Sequence, residues 1–225
     1  MADRAAAAAW DAEYAAGRYR GEPPVGFVAD IVAAARAHGL GAAEGLYIGC
    51  GSGRNYVPLV EAGLDLVGLD ISGTAIDQLA ARRPDRRASL VHGDLAALPP
   101  GRTWPLVIGI QVFQHGCRAD AHAHVRAAQQ RLRPGGMFCL RVNAVGTDVW
   151  PAHETTETRP DGGFTVRYLE GPKDGLQVHF YSGAELDALF YDGYTPVLTR
   201  RLHSTPRTPA GPGQWSQWEA IWRRH

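Results

Sequence analysis

The sequence is poor in lysine and cysteine, carries no excess charge, and has no long apolar run. Of 23 basic side chains only Lys173 is a lysine, which reads as the codon usage of a GC-rich genome rather than as chemistry. Three cysteines, Cys50, Cys117 and Cys139, stand at no paired spacing. That excludes a disulfide framework and points to reduced thiols in a cytoplasmic protein. The 23 basic side chains are balanced by 23 acidic ones, so the composition offers no source for the basic face that nucleic acid demands. No apolar stretch approaches the ~20 residues of a membrane span. The alanine-rich start is broken by Asp11, Glu13 and Arg18 and does not read as a signal peptide. What is present is ordinary globular composition, 45% hydrophobic and 20% charged over 225 residues. A chain of that length buries roughly 70% of its unfolded surface and needs no metal or disulfide staple.

Periodicity predicts two helices first, Ala5 to Ala16 and Val25 to Ala37, separated by the breaker Gly21-Glu22-Pro23-Pro24. An alternation of short apolar strands and helical segments follows. The strands are Leu46-Tyr47-Ile48, Leu66 to Asp70, Leu90 to Asp94, Pro105 to Val112 and Met137 to Val142. Between them lie helices at Asn55 to Ala62, Thr74 to Arg82 and Ala119 to Leu132, the last stopping at Arg133-Pro134-Gly135-Gly136. This rhythm means parallel βαβ units in an open, doubly wound α/β sheet. The last third is irregular: a hairpin of Phe164 to Tyr168 with Gln177 to Phe180, a helix at Ala184 to Phe190, and strands Val197 to Leu202 and Gln217 to Trp222 across a linker, Thr205 to Gly213. With no internal repeat, residues 1–225 read as a single domain.

The chemistry is carried by Gly49-Cys50-Gly51-Ser52-Gly53, placed between a strand and a helix. Glycines there let the backbone turn sharply and approach a ligand closely. Asp70 ends the second strand, where a carboxylate can accept both hydroxyls of a ribose. Asp94 ends the third, where it can meet the exocyclic amine of an adenine. Glycine, aspartate and aspartate thus stand at the carboxyl ends of three successive strands, the edge at which open α/β sheets bind ligands.

In these residues the chain resembles the class I S-adenosylmethionine-dependent methyltransferases. The resemblance rests on Leu46 to Asn55, Gly68-Leu69-Asp70-Ile71-Ser72, Gly93-Asp94-Leu95, Gln111-Val112-Phe113-Gln114-His115 and Leu132-Arg133-Pro134-Gly135-Gly136, in that order, and covers residues 45–142. It implies a seven-stranded, mostly parallel sheet of order 3-2-1-4-5-7-6 with strand 7 antiparallel, S-adenosyl-L-methionine as methyl donor and S-adenosyl-L-homocysteine as product. It implies that Gly49, Cys50, Gly51, Gly53 and Asn55 surround the methionine moiety, Asp70 and Ile71 the ribose, and Asp94 and Leu95 the adenine, with Gln111 close to the methyl group. Position 47, acidic in most of this family, is Tyr47 here.

Residues 1–40 form an N-terminal helical cap in this reading, with Tyr14 and Tyr19, beside Trp10, as a lid over the cofactor. Residues 144–180 form a substrate-side insertion whose Trp150, His153, Phe164, Tyr168, His179, Phe180 and Tyr181 suit a planar acceptor. The donor's sulfonium is already a strong electrophile, so the protein has mainly to align a nucleophile and, for some acceptors, take its proton. His115, three residues beyond the fourth strand, is the candidate catalytic base. No metal is expected, because His122 and His124 of the cluster His115, Cys117, Asp120, His122 and His124 face different sides of a helix. The expected function is methyl transfer to oxygen or nitrogen of a small metabolite, in secondary metabolism, with neither nucleic acid nor membrane as partner. Two alternatives stand beside it: a protein that binds S-adenosylmethionine without methyl transfer, and an NAD-dependent oxidoreductase. The latter's G-x-G-x-x-G would need the third glycine one residue later than Gly53.

Overall fold

The computed structural model describes residues 4–206 and 213–225. Helices α1 (Arg4–Ala15) and α2 (Phe27–Ala37) precede the first strand, β1 (Gly45–Ile48). Then come α3 (Tyr56–Glu61), β2 (Leu66–Asp70), α4 (Gly73–Arg82), β3 (Leu90–His92), β4 (Trp104–Ile110), α5 (Arg118–Gln129) and β5 (Leu132–Asn143). A three-stranded antiparallel sheet, β6 (His153–Thr158), β7 (Phe164–Tyr168) and β8 (Gln177–Phe180), is inserted before α6 (Gly183–Leu189). Two long strands, β9 (Tyr194–Pro206) and β10 (Gln214–Arg224), complete the main sheet. Its order is β3-β2-β1-β4-β5-β10-β9. β10 runs antiparallel to both neighbours and the first five strands are mutually parallel. In sheet order this is the expected 3-2-1-4-5-7-6.

β1, β2 and β4 are buried at every position, because helices cover both faces of the sheet. One layer packs α2, α3 and α4 on Tyr47, Leu66 and Ile108. The other packs α5 and α6 on Leu46, Val107 and Phe138.

Several boundaries differ from the sequence reading, each for a local reason. β3 stops at His92 because Gly93 leaves the ladder at φ +140° and its N–H turns to the Asp70 carbonyl, 2.8 Å away. β5 begins at Leu132, inside the expected helix stop, since a register shift opposite Trp104 and Leu106 accommodates Pro134. β6 has no sequence signature: His-Glu-Thr-Thr-Glu-Thr is nearly all exposed and carries no apolar alternation to read. Thr205, from the expected linker, lies in β9, and residues 207–212 of that linker are outside the described residues.

Candidate active site

β1 delivers the chain into the glycine turn at the carboxyl edge of the sheet. The N–H groups of Gly49 and Cys50 both donate to the Leu69 carbonyl (2.7 and 3.1 Å), which ties the turn to β2. Gly51, at φ +55°, is in the left-handed region, and a Cβ there would lie 2.5 Å from the Tyr14 hydroxyl. Only glycine fits both the dihedral and the space. Gly53, at φ +94°, serves differently: a Cβ would meet Leu79 Cδ1 at 2.5 Å and Val57 Cγ2 at 3.0 Å. It lets the turn pack on α3 and α4 and, alone among the expected cofactor residues, does not reach the cavity wall.

The buried carboxylate of Asp70 braces the same turn. Its Oδ2 accepts from Gly51 N–H (2.7 Å) and its Oδ1 from Ser72 N–H (2.9 Å). Burial pushes the carboxyl above the ordinary aspartate range, and these two donors oppose the shift. Asp94 caps a 3-10 turn, Leu95–Ala97, through Ala96 N–H at 2.9 Å. Gln111 adopts φ +56°, rare and costly for a residue with a side chain. Its N–H donates to the Arg141 carbonyl (2.7 Å) and its own carbonyl accepts from Gln114 Nε2 (2.8 Å), so the strained residue is held from both sides where β4 meets the cavity.

Tyr47 is fully buried beneath the turn, and desolvation raises its phenol well above the ordinary range. The Asn55 side chain hydrogen-bonds this phenol and accepts the Val25 N–H at 3.0 Å. Tyr47 therefore links the turn to the entry of α2 by a neutral hydrogen bond, where an acid would place a charge.

α1 lies across the opening. Asp11 Oδ1 accepts from Ser72 Oγ (2.6 Å) and Thr74 N–H (3.0 Å), capping α4 from a distant segment, and Gln78 Nε2 donates to the Tyr14 carbonyl (3.0 Å). The Trp10 indole meets His115 edge to face with ring centroids 5.2 Å apart. Tyr19, at φ +60°, lies beneath the guanidinium groups of Arg18 and Arg54, 4.8 and 5.4 Å from its ring. Together these walls enclose about 650 Å³, the size of a small-molecule site.

Gly49, Cys50, Gly51, Asn55, Asp70, Ile71, Asp94, Leu95, Gln111, Tyr14, Tyr19 and His115 all line this one cavity. Trp10 of the expected lid, and Ser52, Arg54 and Val112 from within the quoted motifs, line it too; Asp120 and His124, which the sequence offers only as members of a metal cluster, reach it from α5. Burial and the nearby charge of Lys173 lower His115 to about 3, so its imidazole is neutral at working pH.

The insertion behaves differently from expectation. None of its aromatics lines the cavity among the described residues. Phe164 and Phe180 stack on each other (4.6 Å, 5°) in a satellite core, and Trp150 is 45% exposed. His179 and Tyr181 are buried beside α5 and α6. There Glu185 Oε1 accepts from Arg118 Nε (2.5 Å) and faces the Nε2 atoms of His122 and His179 (3.3 Å each), while Oε2 accepts from Ser182 N–H (2.9 Å). Burial would raise this carboxyl, yet the donors hold it far below the ordinary range. What the insertion does bring to the cap is Lys173, whose ammonium lies 4.4 Å from the centre of the Trp10 ring.

Among the described residues no helix is long and apolar enough to cross a membrane. A family model described as a methyltransferase domain matches residues 46–138. A probable S-adenosylmethionine-dependent methyltransferase of Mycolicibacterium smegmatis is 30% identical over 175 residues, covering 71% of this chain and 64% of the relative. A ubiquinone biosynthesis O-methyltransferase of Mesorhizobium japonicum is 33% identical over 172 residues, covering 71% and 66%. The chain thus spans just under two thirds of the length of these relatives. In fold it is similar to the Burkholderia thailandensis 1,6-didemethyltoxoflavin-N1-methyltransferase, crystallised with its acceptor and S-adenosylhomocysteine. That likeness has a TM-score of 0.65 and 17% identity over 100% of this chain and 91% of the other.

Proposed function

Because the chain belongs to the class I S-adenosylmethionine-dependent methyltransferases, we propose that its strand-edge cavity binds S-adenosylmethionine and carries out methyl transfer to a small metabolite. The observation that carries the proposal is the convergence of a left-handed glycine turn, two strand-end aspartates and a strained Gln111 on a single cavity beneath an aromatic cap. The cavity fits the donor in size, and Gly51 lets the Tyr14 hydroxyl close against the turn where a side chain would clash.

In this reading Gly49, Cys50, Gly51 and Asn55 receive the methionine end, and Gly53 keeps the turn seated on α3 and α4. Asp70, already oriented by two backbone N–H groups, uses its remaining lone pairs for the ribose hydroxyls beside Ile71. Asp94 and Leu95 receive the adenine. Bound S-adenosylmethionine supplies an electrophilic methyl group, so the work left to the chain is alignment and exclusion of water. Trp10, Tyr14 and Tyr19 close the roof, and His115 stands at the acceptor end as a neutral hydrogen-bonding group. The acceptor is an oxygen or nitrogen nucleophile on a small metabolite, and a tailoring step in secondary metabolism suits a cavity of this size.

Calorimetric titration tests the assignment. S-adenosylhomocysteine should bind one to one, and NAD should not bind. Binding of NAD alone would return the cavity to the oxidoreductases; binding of S-adenosylhomocysteine without methyl release over a broad acceptor panel would favour a non-methylating protein.

A further inference from the structure

At the mouth of the cavity the insertion meets the cap. Trp10 and His115 both line the cavity, ring against ring. The face of Trp10 carries the ammonium of Lys173, delivered by the short 3-10 turn Gly171–Lys173, which packs on α1. A cation on an indole face is attracted by the ring quadrupole and fixes the ring's orientation. This cation is partly buried, and its charge is felt at His115.

The opposite charge is spoken for elsewhere. Among the described residues the carboxylates lining the cavity are Asp70, Asp94 and Asp120, and each is engaged by backbone N–H groups: Gly51 and Ser72, Ala96, and Cys117 respectively. Asp120 lies against Gly116, the residue that follows His115. Glu13, on α1, offsets part of the Lys173 charge and is itself paired with Arg18 at 3.5 Å. The charge carried on the Trp10–His115 pair itself is therefore positive, and the carboxylate beside it, Asp120, is already held by Cys117 N–H and Sγ.

Resting on the methyl-transfer reading above, we propose that Lys173 is a positioning residue that holds Trp10 over the acceptor and selects a planar acceptor presenting an oxygen anion, a phenolate or carboxylate, over a protonated amine. The chemistry closes without a strong base. The acceptor oxygen already carries its electron pair; it forms the new O–CH₃ bond as the carbon–sulfur bond breaks, and that pair returns to sulfur. No proton has to be removed, which agrees with a His115 whose basicity is low.

The chain's single lysine makes the test direct, because protein labelled with ¹³C at the lysine ε-carbon gives one side-chain signal, that of Lys173. In protein saturated with S-adenosylhomocysteine, the signal should titrate near 8, well below an ordinary lysine at about 10.4. The charged and titratable groups facing it are Glu13 and Arg18 from the cap, and His115 on the other side of the Trp10 contact. Benzoate and 4-nitrophenolate should shift the signal and raise its pKa, and benzylamine at the same concentration should do neither. Lys173→Met, which keeps the stem and removes the charge, should weaken benzoate binding at least about tenfold and S-adenosylhomocysteine binding by much less. Lys173→Arg should restore it. The proposal is overturned if benzoate leaves the signal unmoved, if benzylamine binds as well as benzoate, or if the Met variant binds benzoate normally. Failure of S-adenosylhomocysteine to bind at all would instead overturn the methyltransferase reading beneath it.

Discussion

At the scale of single residues, the cavity wall divides into groups that make room and groups that make contacts. Gly51 makes room. A Val there would add a branched side chain at φ +55°, where even a first carbon meets the Tyr14 hydroxyl at 2.5 Å. Gly51→Val should abolish S-adenosylhomocysteine binding in calorimetry, and near-normal affinity would remove the turn from the cofactor site. Asp70 makes contacts. Asp70→Ala should weaken binding by about 1–3 kcal/mol, the range for losing hydrogen bonds to a charged acceptor. His115 has its pKa lowered to about 3 by burial and Lys173. Its neutral form is thus fully present above about pH 5, and the rate should show no inflection at the ordinary histidine value near 6.5. His115→Asn, which keeps a hydrogen-bonding group but cannot serve as a base, should retain activity to within about tenfold. A loss of several hundredfold in kcat would make His115 the base after all.

At the scale of elements, α1 is held by partners far away in sequence rather than by its own composition. Arg4–Ala15 has no acidic first turn and no basic last turn, so little in the helix itself fixes its position. Asp11 pins it to the start of α4, Gln78 holds its end, and Lys173 sits on Trp10. Deleting residues 1–20 spares every strand of the sheet, and should leave a folded domain that has lost most of its cofactor affinity. Asp11→Ala is the milder version. Losing the cap should cost about 1 kcal/mol, roughly a fivefold weaker S-adenosylhomocysteine affinity if the lid contributes to binding. A truncated protein with full activity would return Trp10, Tyr14 and Tyr19 to ordinary packing.

At the scale of the whole molecule, backbone hydrogen bonds tie β8 and Tyr181 to the ends of β4 and β5, and one buried carboxylate clamps the insertion to α5 and α6. Glu185 gathers Arg118 and His122 from α5, His179 from β8 and the start of its own helix. Removing it leaves buried polar partners unpaired, and Glu185→Ala should cost about 3–5 kcal/mol in denaturant unfolding. The pH dependence has a definite sign. The folded-state pKa is depressed, so the stabilisation is fully present above the unfolded value of about 4.3 and is lost as pH falls below it toward the folded value. Stability should drop steeply below about pH 4 in the wild type, and Glu185→Gln should flatten that slope. An unchanged acid limb in the Gln variant would show that the clamp contributes nothing.

What the sequence determined by itself was the Rossmann-like half of the chain. Apolar runs such as Leu66 to Asp70, punctuated by Gly49-Cys50-Gly51-Ser52-Gly53, carry strand, turn and helix in local chemistry, and the cavity residues of that half follow the strand ends. What only the tertiary structure decided depended on neighbours distant in the chain. β6 is a strand because β7 pairs with it, not because its polar residues favour one. Gly53 has to be glycine because Leu79 and Val57 occupy the space a side chain would take. Phe164, Tyr168 and Phe180 of the insertion went into a core of their own, since a small sheet must bury one face. Lys173 gained a role from Trp10, 163 positions earlier in the chain. Periodicity and motif report what a residue prefers locally; charge, cavity and lid belong to residues that meet only when the sheet has closed.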